Sequence, residues 1–216
     1  MIKNHKVSFV SVWAFLLMSL TVLSQNQKIR LVLLLLQQKL ALSAVGVQVR
    51  AAAEVRICPE IMWFIEQKQL PFLGRYQDMD VLLLELPSSH IPPGTDKLIN
   101  WLLGNNVVPM IAHPERNREL QAYPDRINLF VQSGCLLQLT AASLLGDMNP
   151  PAQLVAEQWV TEKRYTVVAS DCHSLLRRPP KLSQAWQRIS ELTDIHYAND
   201  VTRITPALIS SCLFND

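Results

Sequence analysis

Charge of one sign is what this chain most lacks. Across 216 residues, 20 lysines and arginines face 18 aspartates and glutamates, a formal net charge of +2. That excess is too small for the electropositive face of a nucleic-acid binder, and no Lys/Arg run interleaved with aromatics occurs. Nucleic acid is not expected as a partner. Paired cysteines are missing as well: Cys58, Cys135, Cys172 and Cys212 stand far apart without a C-x-x-C pair, which excludes a zinc knuckle or a small disulfide framework. They read as reduced thiols, mostly buried. There is no internal repeat and no low-complexity tract. What remains is a globular chain, 49% hydrophobic and 18% charged, with apolar material for one sizeable core.

The first 46 residues differ from the rest. Val7 to Leu23 carries no charge, follows Lys3 and Lys6 and precedes the polar stretch Ser24 to Lys28, the pattern of a signal peptide or short membrane anchor. A second apolar run, Leu31 to Leu36, fits a buried strand of a parallel sheet equally well.

From about residue 47 short apolar runs alternate with segments of helical period. Strands are expected at Val47 to Val55, Val81 to Leu86, Val107 to Ala112, Leu136 to Thr140 and Tyr165 to Ser170. Between and after them, helices are expected at Glu60 to Gln67, Asp96 to Leu103, Asp125 to Ser133, Ala152 to Lys163, Leu182 to Leu192 and Asp200 to Leu213. Such alternation means βαβ units and a parallel sheet, open or closed into a barrel.

The chemistry-bearing residues fall at the carboxyl ends of those strands. Glu54, Glu85, His113, Thr140, and Asp171 with His173 each end one. On α/β sheets and barrels that edge is where sites assemble. A ligand set of mixed nitrogen and oxygen suits manganese, iron or zinc better than calcium or magnesium. Asp171 and His173, two apart, would point the same way if the backbone stayed extended. Arg116 and Arg178 follow in loops, where a guanidinium can grip a phosphoryl oxygen. Taken singly, each has a plainer reading: Glu54 as a surface partner of Arg50 or Arg56, His113 as a hydrogen-bonded structural residue, Arg177 and Arg178 as a solvated loop. His90 and His196 end no strand and are taken as structural. Jointly, the rim pattern points to a metal-dependent phosphate-ester hydrolase.

The stretches AAEVRICPE, LLLELPSSHIPPG, PMIAHPERN, GCLLQLTAASLLG and VVASDCHSLLRRPP resemble the bacterial tyrosine phosphatases of the polymerase and histidinol phosphatase (PHP) superfamily, encoded with capsular and exopolysaccharide synthesis genes. The resemblance covers roughly residues 47 to 210. It implies a distorted (β/α) barrel and a protein tyrosine phosphatase in which a metal, usually manganese, activates water. Its substrate would be phosphotyrosine on a polysaccharide co-polymerase tyrosine kinase, in the cytoplasm. Carried over by motif, Glu54, Glu85, His113, Asp171 and His173 correspond to metal ligands, and Arg116 and Arg178 to phosphate-binding catalytic residues. No cysteine nucleophile is implied, and no cysteine here stands in a C-x5-R loop.

The chain departs from the family at its start. The family opens with Asp-x-His-x-His on its first strand, whereas here Lys3 stands in place of the Asp, His5 matches the first His and Val7 replaces the second. Residues 1–46 are therefore expected to be an atypical segment, from a frameshifted or rearranged gene start or a real anchor, before a PHP-type domain at 47–216 that is incomplete at its N-terminal strands. Three readings stay open: a tyrosine phosphatase, impaired or not; a non-catalytic remnant binding a kinase partner or phosphate; and a PHP phosphatase of small phosphomonoesters.

Overall fold

The computed structural model of the chain describes residues 14–17, 33–43, 47–174 and 176–214. Lys3, His5, Val7 and most of the 7–23 apolar run lie outside them. In chain order the elements are β1 (Ala14–Leu17), α1 (33–42), β2 (Ala51–Arg56), α2 (Ile61–Glu66), β3 (Arg75–Tyr76), β4 (Met79–Glu85), α3 (Thr95–Gly104) and β5 (Val107–Ala112). There follow α4 (Arg118–Ala122), α5 (Asn128–Gln132), β6 (Leu136–Thr140), α6 (Ala141–Leu144), α7 (Pro150–Thr161), β7 (Val167–Ala169), α8 (Leu182–Leu192), α9 (Ile195–Asn199) and α10 (Thr205–Ser210).

Strands β1, β2, β4, β5, β6 and β7 pair in that order, each pair parallel, and β3 folds back antiparallel on β4. The expected α/β architecture is present. Among the described residues the sheet runs from β1 to β7 without closing, the form of a distorted barrel.

Both faces of this sheet are buried, which is why its strands read as unbroken apolar runs. Along β4, Leu82, Leu84 and then Leu86 enter the large core beneath the helices, while Val81 and Leu83 enter a second cluster with Val108, Met110, Ala112, Leu136, Val167 and Ile209. The alternation of the pleat thus sorts one run into two cores. On the helix side, Trp159 of α7 is fully buried and meets Tyr165 edge-on at 6.2 Å. α1 is tied to the segment leading into β2 by Gln37, whose side-chain amide donates to the Val47 carbonyl and accepts from the Val49 N–H, each at 3.0 Å.

The differences from expectation have local causes. The 31–36 run is helical from residue 33, with Leu34 and Leu35 exposed, and is not a buried strand. The expected 125–133 helix begins as a 3-10 turn at Pro124–Ile127. The expected 200–213 helix is a π turn at Asp200–Ile204 followed by α10. Pro206 has no N–H to continue the ladder, and the helix widens just before it. Of the four thiols only Cys135 is buried, and Cys212 is exposed. No helix among the described residues is long and apolar enough to cross a membrane.

Gly74 sets the contact between β3 and α10. At φ 131° a Cβ there would lie 1.9 Å from the Ile209 carbonyl oxygen, a backbone atom. Gly74→Ala should therefore cost about 3 kcal/mol, read as a lower urea midpoint with an unchanged slope. A midpoint within error of the wild type would show that α10 does not dock as described.

Candidate functional site

Three side chains meet where β2, β4 and β5 end. Glu54 shares its face with Ala52, and Glu85 with Val81 and Leu83, so both project to the inner side above the second core. The register sets Glu54 opposite Leu83 and Glu85 opposite Ala112, which carries the row stepwise toward the carboxyl edge. His113 is one residue out of phase with the inner row Val108, Met110 and Ala112. An extended backbone would send it to the helix side. Instead it adopts φ 32°, the left-handed region, immediately before Pro114, and the strand stops there.

The result is a compact group. His113 Nε2 lies 2.9 Å from Glu54 Oε1 and 4.0 Å from Glu85 Oε1, with the three side chains only 11–17% exposed. One ligand atom from each lies within 4.8 Å of the others. Two carboxylates and an imidazole so disposed fit a transition metal, leaving further positions for water and substrate. His113 Nε2 and Glu54 Oε1 share a hydrogen bond, and ligation of a metal by Nε2 requires that this nitrogen carry no proton. Arg56 braces Glu85 from the solvent side at 3.3 Å. The plainer pairing of Glu54 with Arg50 or Arg56 is not what forms: Arg50 donates to the Leu213 carbonyl.

Arg116, Arg178, Asp171 and His173 make a second group. Arg116 Nη1 donates to Asp171 Oδ2 at 2.9 Å, and Arg178 Nη2 donates to the same oxygen. Two guanidiniums on one carboxylate leave net positive charge for an anion. Among the described residues the buried Arg178 Nε has no partner. β7 stops at Ala169 and Asp171 takes φ 45°, so the expected extended spacing of Asp171 and His173 does not form. His173 Nδ1 folds back to the Asp171 carbonyl at 2.9 Å and lies 3.6 Å from Asp171 Oδ1. Among the described residues, the group of Glu54, Glu85 and His113 does not extend to either.

Glu115 went unassigned in the sequence, and it joins the parts. It is fully buried, one oxygen accepting the Thr140 N–H at 3.1 Å and the other the Tyr165 hydroxyl at 3.3 Å. Burial pushes its carboxyl up from the ordinary range, partly offset by the nearby His113. Burial, then Glu115, pushes the Tyr165 phenol up as well. Thr140, expected as a rim group, thus serves through its backbone N–H.

A cleft of about 230 Å³ opens beside these groups. Glu85, His113 and Arg116 supply its charged lining, and Leu86, Pro114 and Met148 apolar lining. None of the four cysteines lines it, and burial pushes the Cys135 thiol up to about 12, far from a nucleophile at neutral pH. His90 is exposed against Ser89, in keeping with a structural reading.

Comparison with known proteins shows what the chain is similar to. Residues 20–210 match the family model described as capsular polysaccharide synthesis, CpsB/CapC. The chain is 30% identical over 158 residues to CapC of Staphylococcus aureus, covering 73% of this chain and 61% of the relative. It is 30% identical over 143 residues to the tyrosine-protein phosphatase YwqE of Bacillus subtilis, covering 66% and 55%. To the tyrosine-protein phosphatase CpsB of Streptococcus pneumoniae it is 28% identical over 149 residues, covering 64% and 58%. The chain thus spans about three fifths of the length of these curated relatives. Its fold matches a chain from the crystal structures of YwqE and CpsB, described as unique metal-dependent tyrosine phosphatases. The TM-score is 0.75 at 24% identity, over 83% of this chain and 71% of that one.

Because burial favours an uncharged Glu115, its amide isostere should be tolerated: Glu115→Gln should cost under about 1.5 kcal/mol in urea unfolding. Glu115→Ala, which leaves the Thr140 N–H and Tyr165 hydroxyl without their acceptor, should cost about 3 kcal/mol. Equal losses in the two variants would show that the charge itself is needed.

Proposed function

The chain belongs to the CpsB/CapC family of capsular polysaccharide synthesis, and on that premise we propose that it is a metal-dependent protein tyrosine phosphatase. The observation that carries the reading is the pairing of opposite demands at one sheet edge. Glu54, Glu85 and His113 call for a cation, and Arg116 with Arg178 call for an anion. A metal beside a phosphate-binding arginine pair is the equipment of phosphomonoester hydrolysis.

We assign Glu54, Glu85 and His113 as the core of the metal site, with Asp171 and His173 as further ligands from the loop after β7. Manganese suits that nitrogen and oxygen set. When bound, the metal supplies an acidified water and a counter-charge for the phosphoryl oxygens. The residues do the rest. Arg116, whose guanidinium reaches both the cleft and Asp171, holds a phosphoryl oxygen in the cleft. Arg178 adds a second positive charge against the build-up of negative charge in the transition state. His113 would ligate through an unprotonated Nε2, its proton released to solvent, so that Glu54 stays ionised as a fellow ligand. The substrate is a phosphotyrosine-containing protein, for which a polysaccharide co-polymerase tyrosine kinase is the natural candidate, and the setting is cytoplasmic.

A second reading, a non-catalytic remnant that binds phosphate or a kinase, draws on one observation. β1, set against β2 with Leu17 opposite Glu54, is Ala-Phe-Leu-Leu and carries no metal-ligating residue type.

Hydrolysis of p-nitrophenyl phosphate across a manganese titration separates the two. The expected outcome is manganese-dependent turnover that falls at least about 100-fold in His113→Ala. A folded wild-type sample with no more turnover than the variant would remove the phosphatase reading and leave the remnant.

A further inference from the structure

Met148 is placed to select the organic half of the substrate. Of the apolar residues lining the cleft, Leu86 follows β4, while Ala112 and Pro114 belong to the end of β5; Met148 alone comes from the turn between α6 and α7. That turn is held on three sides. Gly146, at φ 80°, and Asp147 donate their N–H groups back to the Ser143 and Ala142 carbonyls of α6. Asn149 Oδ1 accepts the Ala152 N–H at 2.9 Å and caps α7. Lys181 Nζ reaches Asp147 Oδ2 at 2.7 Å, tying the turn to the segment that carries Arg178. Met148, half-buried, is thus presented to the cleft from a fixed backbone.

Part of the uncharged polar lining is committed elsewhere. Asn117 donates its amide to the Pro87 and His90 carbonyls at 2.7 and 3.0 Å, and its oxygen accepts the Leu120 N–H. The Asn149 oxygen is spent on the α7 cap. Among the uncharged polar lining, a hydroxyl-rich organic group entering the cleft would meet only the Ser88 hydroxyl and the Asn149 side-chain NH2 in exchange for its lost water. An aromatic ring would lose nothing and would meet apolar surface and a polarisable thioether. The cleft volume of about 230 Å³ is below the usual 300–1,000 Å³ of drug-sized sites, which leaves room for a ring and its phosphate while a peptide backbone stays outside.

We propose that Met148 is a specificity-determining residue, the wall against which the ring of an aryl phosphomonoester rests. This rests on the reading that the phosphoryl group sits at Arg116. Binding of two unhydrolysable probes, phenylphosphonate and methylphosphonate, tests it by calorimetry in the presence of manganese, so the outcome does not depend on turnover. Wild-type protein should bind phenylphosphonate about tenfold more tightly than methylphosphonate. Met148→Ala should erase most of that preference with methylphosphonate affinity unchanged, and Met148→Leu should keep most of it. An unaltered preference in Met148→Ala, or an equal loss for both probes, would overturn the assignment while leaving the anion site standing. Binding of neither probe to the wild type would overturn both. A p-nitrophenyl phosphate assay without turnover, beside an intact ring preference, would remove the phosphatase reading alone.

Discussion

The buried carboxyl of Glu115 is the tie on which the arrangement of the site depends. It belongs to the short turn after β5 that also carries His113 and Arg116, and it fastens that turn to the end of β6 through the Thr140 N–H and to Tyr165 just before β7. One side chain thereby ties the ends of β5 and β6 to the residue that leads into β7. Inserting a carboxyl into an apolar interior is costly unless its oxygens are satisfied, and the cost makes the geometry specific: displacing the turn would strand the Thr140 N–H, the Tyr165 hydroxyl and the carboxyl together. The carboxylate–imidazole group and the arginine pair sit on either side of this tie, His113 before it and Arg116 after it.

Backbone strain accompanies the polar residues. His113 and Asp171, the two non-glycine residues that open the site's loops, both sit at positive φ, 32° and 45°. Such conformations cost on the order of 1–3 kcal/mol and persist only where the surroundings enforce them. Here the enforcing contacts are visible: the imidazole is held by Glu54, and the Asp171 carboxylate by two arginines. The same contacts keep each group from its neighbour's charge. Glu85 is partly balanced by Arg56, Glu54 is hydrogen-bonded to His113, and Arg116 and Arg178 are balanced by Asp171.

How much of this was legible in the sequence follows from which interactions are local. Val107–Ala112, Leu136–Thr140 and Leu182–Leu192 match the expected bounds, because strands buried on both faces and a strongly amphipathic helix write their periods directly into the residue order. Glu54, Glu85 and His113 were legible for the same reason, each a polar residue interrupting or ending an apolar run. The relation of Asp171 to His173 was not, since a left-handed aspartate cannot be foreseen from spacing and β7 stops two residues short of it. Glu115 gave only the weak signal of an acid between a base and a cation, because its burial depends on Thr140 and Tyr165, 25 and 50 residues away. Met148 left none, being an isolated residue of a turn whose position is set by Gly146, Asn149 and Lys181.

The number of ligands has a consequence for how the site works. The resemblance leads to a first strand rich in metal-ligating residues, but the strand paired with β2 is Ala-Phe-Leu-Leu, in register with Leu17 opposite Glu54. The strand contributes no donor type at that level. Among the described residues three donors lie within 4.8 Å of one another, the number that catalytic metal sites commonly use while keeping positions open for water and substrate. Among the described residues, a second ion would draw on Asp171 and His173, and Asp171 already serves both guanidiniums. A metal on that carboxylate would drain the charge that now neutralises Arg116 and Arg178, strengthening their pull on a phosphoryl group. On the proposed reading, cation and anion binding at this edge would be linked through Asp171, the arginines holding phosphate best when a metal occupies the carboxylate between them.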